Sequence, residues 1–347
     1  MIVPILYLGV RYAPEHSPIS CLAAIAHAIT VTALLTVAGR SGAAEGAFVP
    51  KAMAWAYLYS EDPHDLGSPA PNAVIHVPGS SVAYTWRELT NSPQAADWFP
   101  LEHPPMPDVV AKDWSAKSIP CAQCHWPNGL GHLATASVAG LPEHYIVEQL
   151  AAFRGGQRHS TDIRSRNPKL MIQVAGEVGA AQAAEAAGYF ASLPAKAWVR
   201  VIETDRVPKT LIDRYGWRDL DPAGGTEPIG RRIVELAEDE QLMHSADPHS
   251  GIIAYAPPGS VRRGEALVMM GVGHTPACAT CHGPALRGVA DFPRLAGQMP
   301  TYLARQLWDI KSGSRGGEAN TPMLAVVAQL KPADILSIAA YLASCDP

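Results

Sequence analysis

The pentapeptide CAQCH at residues 121–125 returns as CATCH at residues 278–282, and this pair of motifs decides how the chain of 347 residues is organised. Other positions match at the same offset of 157 residues: Gly131 with Gly288, Tyr145 with Tyr302, Gln149 with Gln306 and Arg158 with Arg315. Beyond them the offset falls to 152, where Met171 meets Met323 and Tyr189 meets Tyr341. A single five-residue difference reconciles the two offsets. The sequence therefore predicts a duplicated domain.

Apolar residues recur at helical spacing in both copies. In the second copy Ser260 is a candidate N-cap for a helix that ends at Met270. Four further helices are predicted around Tyr145 to Phe153, Ala183 to Phe190, Tyr302 to Ile310 and Ile335 to Leu342. Strand signals lie outside the copies, where residues 198–202 and 251–255 could pair. We therefore predict a mainly α fold with a small β-containing linker between two tandem domains.

The C-x-x-C-H spacing indicates covalently attached haem. Two thiols three positions apart can each add to a vinyl group, and the following His can ligate the iron. A thioredoxin-like pair would need a βαβ context, and a zinc site would need further ligands nearby; neither motif has them. We predict two haem c groups, attached through Cys121 and Cys124 and through Cys278 and Cys281, with His125 and His282 as axial ligands.

The sixth iron ligand decides the chemistry of such a haem. A Met thioether saturates the iron and raises its reduction potential, whereas an open position allows reactions of small molecules. Met171 follows His125 by 46 residues and Met323 follows His282 by 41, at matched positions of the two copies. We predict Met171 and Met323 as the sixth ligands.

Other polar residues near the first motif are weighed by the same repeat. His132, His144 and His159 could compete for the first iron, but none recurs in the second copy, so we interpret them as surface or loop residues. Arg158 and Arg315 do recur. They could neutralise haem propionates or cap a helix, and the sequence does not separate these two roles.

The first 44 residues differ from the rest of the chain. An apolar run at 21–39, followed by small residues, is typical of a signal peptide cleaved after Ala44; a retained membrane anchor is the alternative. Export agrees with haem attachment outside the cytoplasm, so we expect a periplasmic protein that meets a membrane only if this segment is retained. The predicted segments are a signal peptide (1–44), an N-terminal extension (45–112), a first domain (113–194), an insertion (195–257) and a second domain (258–346).

The net charge of −5 offers no basic stripe for phosphates, which excludes a nucleic-acid partner. The extension is rich in Pro and Trp and shows little periodicity. Its Trp86, Trp98 and Phe99 could bury against another protein or pack on the chain's own domains.

The two copies resemble class I cytochromes c, and their tandem arrangement is similar to the dihaem cytochrome c4 group. The second copy carries the fuller signature, from Gly264 through the haem motif and Pro293 to Tyr341. The resemblance implies that the Pro293 carbonyl accepts the ring N–H of His282, and that Gly264 lets the first helix cross closely over Tyr341. The first copy departs from the pattern, because Pro107 matches Gly264 and Ala136 matches Pro293. Its first helix is therefore expected to be missing or replaced by the extension.

Transfer of single electrons is the leading functional prediction, between a dehydrogenase or respiratory complex and an oxidase or soluble cytochrome. The alternative is a dihaem enzyme, similar to a peroxidase or a sulfur-compound dehydrogenase, in which one iron keeps a labile ligand. A third possibility is an electron-transfer subunit of a larger dehydrogenase, docked through residues 45–118 or through Gly224–Arg232. The sequence favours a carrier or subunit over an enzyme.

Overall fold

The computed structural model describes residues 49–347 except Leu66, Ala134, Arg214, Val272 and His274. The predicted signal peptide at 1–44 lies outside the described residues. The haem motifs, both predicted methionines and the segments between them lie within the described part.

Helices carry most of the secondary structure, as the apolar spacing predicted. They are α1 (Trp86–Thr90), α2 (Asp108–Ala111), α3 (Ala122–His125), α4 (Glu143–Arg154), α5 (Arg166–Glu177), α6 (Ala180–Ser192), α7 (Glu240–His244), α8 (Ser260–Met270), α9 (Ala279–His282), α10 (Pro300–Ser312), α11 (Thr321–Ala328) and α12 (Pro332–Ser344). Short 3-10 helices cover Lys51–Ala56 and Glu318–Asn320. Helices α2–α6 run through the first copy in the order that α8–α12 follow in the second.

No single helix of the described part is both long and apolar enough to cross a membrane. Helices α11 and α12 reach that length and composition only as a pair, and they are bent by 116° at the break between them.

Strands lie outside the two copies, as predicted. They are β1 (Val74–Ile75), β2 (Tyr84–Thr85), β3 (Val199–Glu203), β4 (Arg206–Pro208), β5 (Thr210–Ile212), β6 (Arg218–Leu220), β7 (Thr226–Pro228), β8 (Val234–Ala237) and β9 (Ile252–Ala256). The predicted pairing of 198–202 with 251–255 is confirmed: β3 lies parallel to β9, with Val199 opposite Ile252. Strand β8 pairs antiparallel on the other edge of β9, and the sheet order is β3-β9-β8. The two-stranded ladders β1-β2, β4-β7 and β5-β6 are antiparallel.

The start of α8 corrects one sequence prediction. The helix runs to Met270 as expected, but Ser260 is its first residue and Gly259 is the N-cap, with φ +81°. Ser260 makes no capping hydrogen bond through its side chain. Glycine reaches this left-handed conformation at little cost, so the chain turns into the helix one residue earlier than a Ser cap would require.

Helix α8 crosses α12 at Gly264. A Cβ atom at this position would meet the Ser337 carbonyl and lie 2.6 Å from Tyr341 Cβ, so only glycine allows this approach. The close crossing implied by the cytochrome resemblance is thus confirmed. In the first copy α2 spans only Asp108–Ala111 with Pro107 as its N-cap, so the expected loss of the first helix is confirmed as a shortening to one turn.

The extension packs on the chain itself. Trp98 is 2% exposed and donates its indole N–H to the Ser245 carbonyl at 2.8 Å. Tyr57 donates its hydroxyl to Asp309 at 2.7 Å, and Arg305 donates to the Ala56 carbonyl at 2.6 Å. The extension is therefore tied both to the insertion and to α10.

We expect Gly264→Ala to lower the free energy of unfolding by about 3 kcal/mol, because the added methyl group forces α8 and α12 apart. Denaturant unfolding of the holoprotein measures this. Gly176→Ala in α5 is the matched control: no atom lies within 4 Å of a Cβ there, so a gain of about 0.5–1 kcal/mol is expected. Equal effects of the two substitutions would contradict the crossing.

Candidate haem sites

Both C-x-x-C-H motifs form one turn of helix with the same backbone. The N-cap cysteines have φ, ψ of −57°, −38° at Cys121 and −60°, −37° at Cys278. In each motif the His amide donates to the carbonyl of the first Cys, at 2.9 Å for His125 and 3.0 Å for His282. None of the five cysteines in the described part forms a disulfide. Each motif thus presents two thiols and one imidazole from a single helical turn.

The two histidines predicted as iron ligands are oriented by the same bond. Nδ1 of His125 lies 3.0 Å from the Ala136 carbonyl, and Nδ1 of His282 lies 2.8 Å from the Pro293 carbonyl. Because a carbonyl only accepts, Nδ1 carries the proton in both rings and Nε2 keeps its lone pair for a metal. Burial lowers the pKa of both imidazoles, against the opposing effect of these bonds. Both rings therefore favour the neutral form that ligates iron.

Sequence reasoning did not predict the hydrogen bond between His125 and the Ala136 carbonyl. It treated Ala136, which matches Pro293, as a departure from the cytochrome pattern. The acceptor is a backbone carbonyl, so the side chain at this position does not decide the contact. The spacing of 11 residues from the ligand His, identical in the two copies, is the signal that identifies it.

A cavity of about 460 Å³ joins the four predicted residues of the first site. Cys121, Cys124, His125 and Met171 all line it. Apolar side chains form much of the remaining wall: Ile146, Leu150, Phe153, Val174 and Phe190. The volume falls in the range of cofactor pockets, and an apolar wall with two thiols and a free imidazole nitrogen suits haem. The residues present thus fit covalently bound haem c.

The second site is more open to solvent. His282 is 6% exposed, but Cys281 is exposed and Cys278 is half-buried. Cys278 and Met323 both pack, partly buried, against the core formed by α8, α10 and α12. The structure thus places the predicted ligands of this site beside one core, and Met323 as iron ligand stays a prediction.

A hydrogen-bond network with approximate two-fold symmetry joins the two copies. Arg158 donates to Gln149 at 2.7 Å and to Gln306 at 2.8 Å. Arg315 donates to the same two residues, at 3.0 Å each. Tyr145 and Tyr302 complete the network, each receiving a bond from the arginine of the other copy. These bonds run to side chains and not to helix-end carbonyls, and the Arg158 guanidinium also lies 4.5 Å from the centre of the Phe153 ring.

The two arginines form buried positive charge. Arg158 is 8% exposed and Arg315 is 6% exposed, and the hydrogen-bond partners of both are neutral Gln and Tyr side chains. The Nε atom of Arg315 has no hydrogen-bond partner within the described part. A buried cation is costly without an anion, so this cluster suits a carboxylate-bearing ligand such as haem with its propionates.

His132 lies in a loop, as predicted. It is only 9% exposed, however, and it lines the first cavity. Trp217 of the insertion covers it, with ring centroids 4.9 Å apart. Burial lowers its pKa to about 4. His144 and His159 are exposed, as predicted.

The chain was compared with known proteins. Residues 261–346 match the family model for cytochrome c. A "thiosulfate dehydrogenase electron acceptor" of Thiomonas intermedia is 27% identical over 237 residues, covering 67% of this chain and 82% of the relative. A cytochrome c4 of Stutzerimonas stutzeri is 32% identical over 133 residues, covering 34% of this chain and 63% of the relative. The crystal structure of a cytochrome c4 from Pseudomonas stutzeri is 22% identical in sequence, with a TM-score of 0.42. The match covers 65% of this chain and 93% of the cytochrome c4 chain.

These findings confirm the resemblance to c-type cytochromes of the c4 group. They support a cytochrome c fold, covalently bound haem c and electron transfer as the general activity.

We expect acid to destabilise the protein through His132. Its folded pKa of about 4 lies below the ordinary value of about 6.5, so the unfolded chain binds one more proton between these values. The free energy of unfolding therefore falls by up to about 3 kcal/mol as the pH drops from about 6.5 to about 4. His132→Phe keeps a ring beside Trp217 and should remove this component in denaturant unfolding at several pH values. His76→Phe, which removes an exposed imidazole of the extension and leaves His132 in place, should retain it; a wild-type slope in His132→Phe would contradict the assignment.

Proposed function

We propose that this relative of the cytochromes c4 is an exported dihaem electron carrier, or the electron-transfer subunit of a dehydrogenase. His125 and Met171 ligate the first iron, and His282 and Met323 ligate the second. Two cytochrome domains, at 113–194 and 258–346, hold them. The observation that carries this proposal is the pair of matched motifs, each with its ligand His fixed by a backbone carbonyl 11 residues later.

Haem, once attached, supplies a centre that takes up and releases one electron. The chain's own residues prepare the site for it. The carbonyls of Ala136 and Pro293 hold each imidazole with Nε2 free, and the apolar wall of the first cavity keeps water from the iron. Arg158 and Arg315 offer positive charge where the two copies meet, which suits propionates.

The second copy reaches the first cavity. Tyr302 and Gln306 of α10, in the second copy, line the first cavity, and both belong to the network around Arg158. This arrangement supports exchange of electrons between the two haems inside the protein, with no mobile carrier between them.

Exposed apolar side chains beside His282, at the end of α8 and next to Met323 favour the second copy as the docking face for a partner. Phe292 is 42% exposed and its ring centroid lies 5.9 Å from that of His282. Met270, at the end of α8, is 76% exposed, and Leu324, next to Met323, is 47% exposed. Apolar side chains around an exposed cofactor edge suit a transient protein contact. We propose that electrons enter or leave through the second haem.

A sulfur-compound dehydrogenase is the partner class that the relatives favour. The relative from Thiomonas intermedia is named for accepting electrons from thiosulfate dehydrogenase. An electron acceptor of this kind agrees with a predicted subunit or carrier, which requires no substrate pocket. We extend that partner class to this chain as part of the proposal.

We expect the oxidised holoprotein to show two low-spin haems with Met–iron charge-transfer absorption, and the reduced protein to ignore carbon monoxide. Met171→Ala and Met323→Ala should each remove about half of that absorption and open one haem to carbon monoxide, because each takes one sixth ligand away. Met299→Leu, a buried Met outside both sites, is the control and should change neither signal. A wild-type protein with one high-spin haem would instead favour an enzyme with an open first site.

We expect the paired substitution Met270→Glu and Leu324→Glu to slow reduction by thiosulfate dehydrogenase about five- to tenfold, because it places charge in the centre of an apolar contact. Stopped-flow absorbance of the haems, with thiosulfate present, measures the rate. Reduction by ascorbate should not change.

Leu101→Glu is the matched control, since Leu101 is 98% exposed and lies in the extension. If the wild-type protein is not reduced at all, the partner class is wrong. If the paired variant is reduced at the wild-type rate, the docking face is wrong.

A further inference from the structure

Three departures from the repeat line the first cavity. The first is the extension, whose residues 57–61 line the cavity. The second is the segment 159–170, a loop followed by the first residues of α5, which is five residues longer than its counterpart 316–322 in the second copy. The third is the insertion, which contributes Asp213, Tyr215 and Gly216. These added residues have no counterpart in the second copy, so their convergence calls for a role of its own.

The longer loop ends at the helix that carries Met171. Helix α5 begins at Arg166, directly after the loop, and Met171 lies in its second turn. Arg166 also lines the cavity that contains Cys124 and His125 of the haem motif. The position of this helix start therefore decides where Met171 stands relative to the cavity.

An arginine at each side of the helix start rests on a tyrosine from an added segment. The Arg164 guanidinium lies 3.9 Å from the centre of the Tyr59 ring. The Arg166 guanidinium lies 5.0 Å from the centre of the Tyr215 ring. Both distances are within the range of cation–π attraction. The start of α5 thus contacts both the extension, through Tyr59, and the insertion, through Tyr215.

Both tyrosines stand on anchored backbone. Two residues before Tyr59, the Tyr57 hydroxyl is bonded to Asp309 at 2.7 Å. The Tyr215 amide donates to Asp213 at 2.7 Å, and Asp213 also accepts from the Trp217 amide at 2.8 Å. The two segments touch each other as well, because the His64 amide donates to the Ile212 carbonyl at 3.0 Å. Hydrogen bonds therefore fix the backbone on which each tyrosine stands.

We propose that Tyr59 and Tyr215 are positioning residues that clamp the start of α5 and so hold Met171 on the first iron. The proposal rests on Met171 as sixth ligand. The second copy has no such clamp, because residues 316–322 read GGEANTP and contain no arginine or lysine. The added segments thereby strengthen the bond between Met171 and the first iron. They leave the bond between Met323 and the second iron unsupported by such a contact.

Competition with imidazole for the ferric irons tests the clamp on the intact holoprotein. Tyr59→Leu and Tyr215→Leu remove the aromatic face but keep apolar bulk, and each should raise the imidazole affinity of the first haem about two- to fivefold. Tyr59→Phe and Tyr215→Phe keep the face and should match the wild type. The first haem is identified as the one whose competition is lost in Met171→Ala. The affinity of the second haem should not change in any variant.

The outcomes separate the clamp from the ligand assignment. Wild-type affinity in both Leu variants overturns the clamp while Met171 stays the ligand. An equal rise at both haems means general loosening of the fold and also overturns it. Met–iron absorption from only one haem in the wild type, unchanged in Met171→Ala, overturns the assignment of Met171 and the clamp together.

Discussion

The rest of the structure depends on the bond from a ligand imidazole to a backbone carbonyl 11 residues further along the chain. To make it, the chain must leave the motif, turn back over the ring and bring a carbonyl to Nδ1. Gly131 and Gly288 make this return possible, with φ of +78° and +85°. Their amides donate to the carbonyls of His125 and His282, at 2.9 and 3.0 Å. The loop closed in this way delivers the chain to α4 in one copy and to α10 in the other.

Much of the helical frame could be predicted from local sequence, since periodic apolar residues and caps act over a few positions. The helix around Tyr302 to Ile310 and the pairing of β3 with β9 are examples. Local patterns failed where the backbone alone decides a contact. Gly259 replaces Ser260 as N-cap because of its positive φ, and the Ala136 carbonyl serves as well as that of a proline.

Contacts between distant segments could not be read from the sequence. His132 packs against Trp217, which lies 85 residues further along the chain, and the sequence around His132 does not indicate this contact. The hydrogen bond between Tyr57 and Asp309 likewise joins residues 252 positions apart. The repeat located the haem motifs and the recurring arginines. It was silent about the extension and the insertion, because they have no counterpart in the other copy.

The cover over the first cavity has a consequence for how the protein matures. Cys121 and Cys124 line the first cavity together with residues near Tyr57 and near Tyr215. In a chain synthesised from its N-terminus, both thiols exist well before the part of the lining that the insertion supplies. A haem attached through these thiols would therefore not have to wait for the insertion, which would complete the wall of the cavity afterwards. The second site, with Cys281 exposed, imposes no such order of assembly.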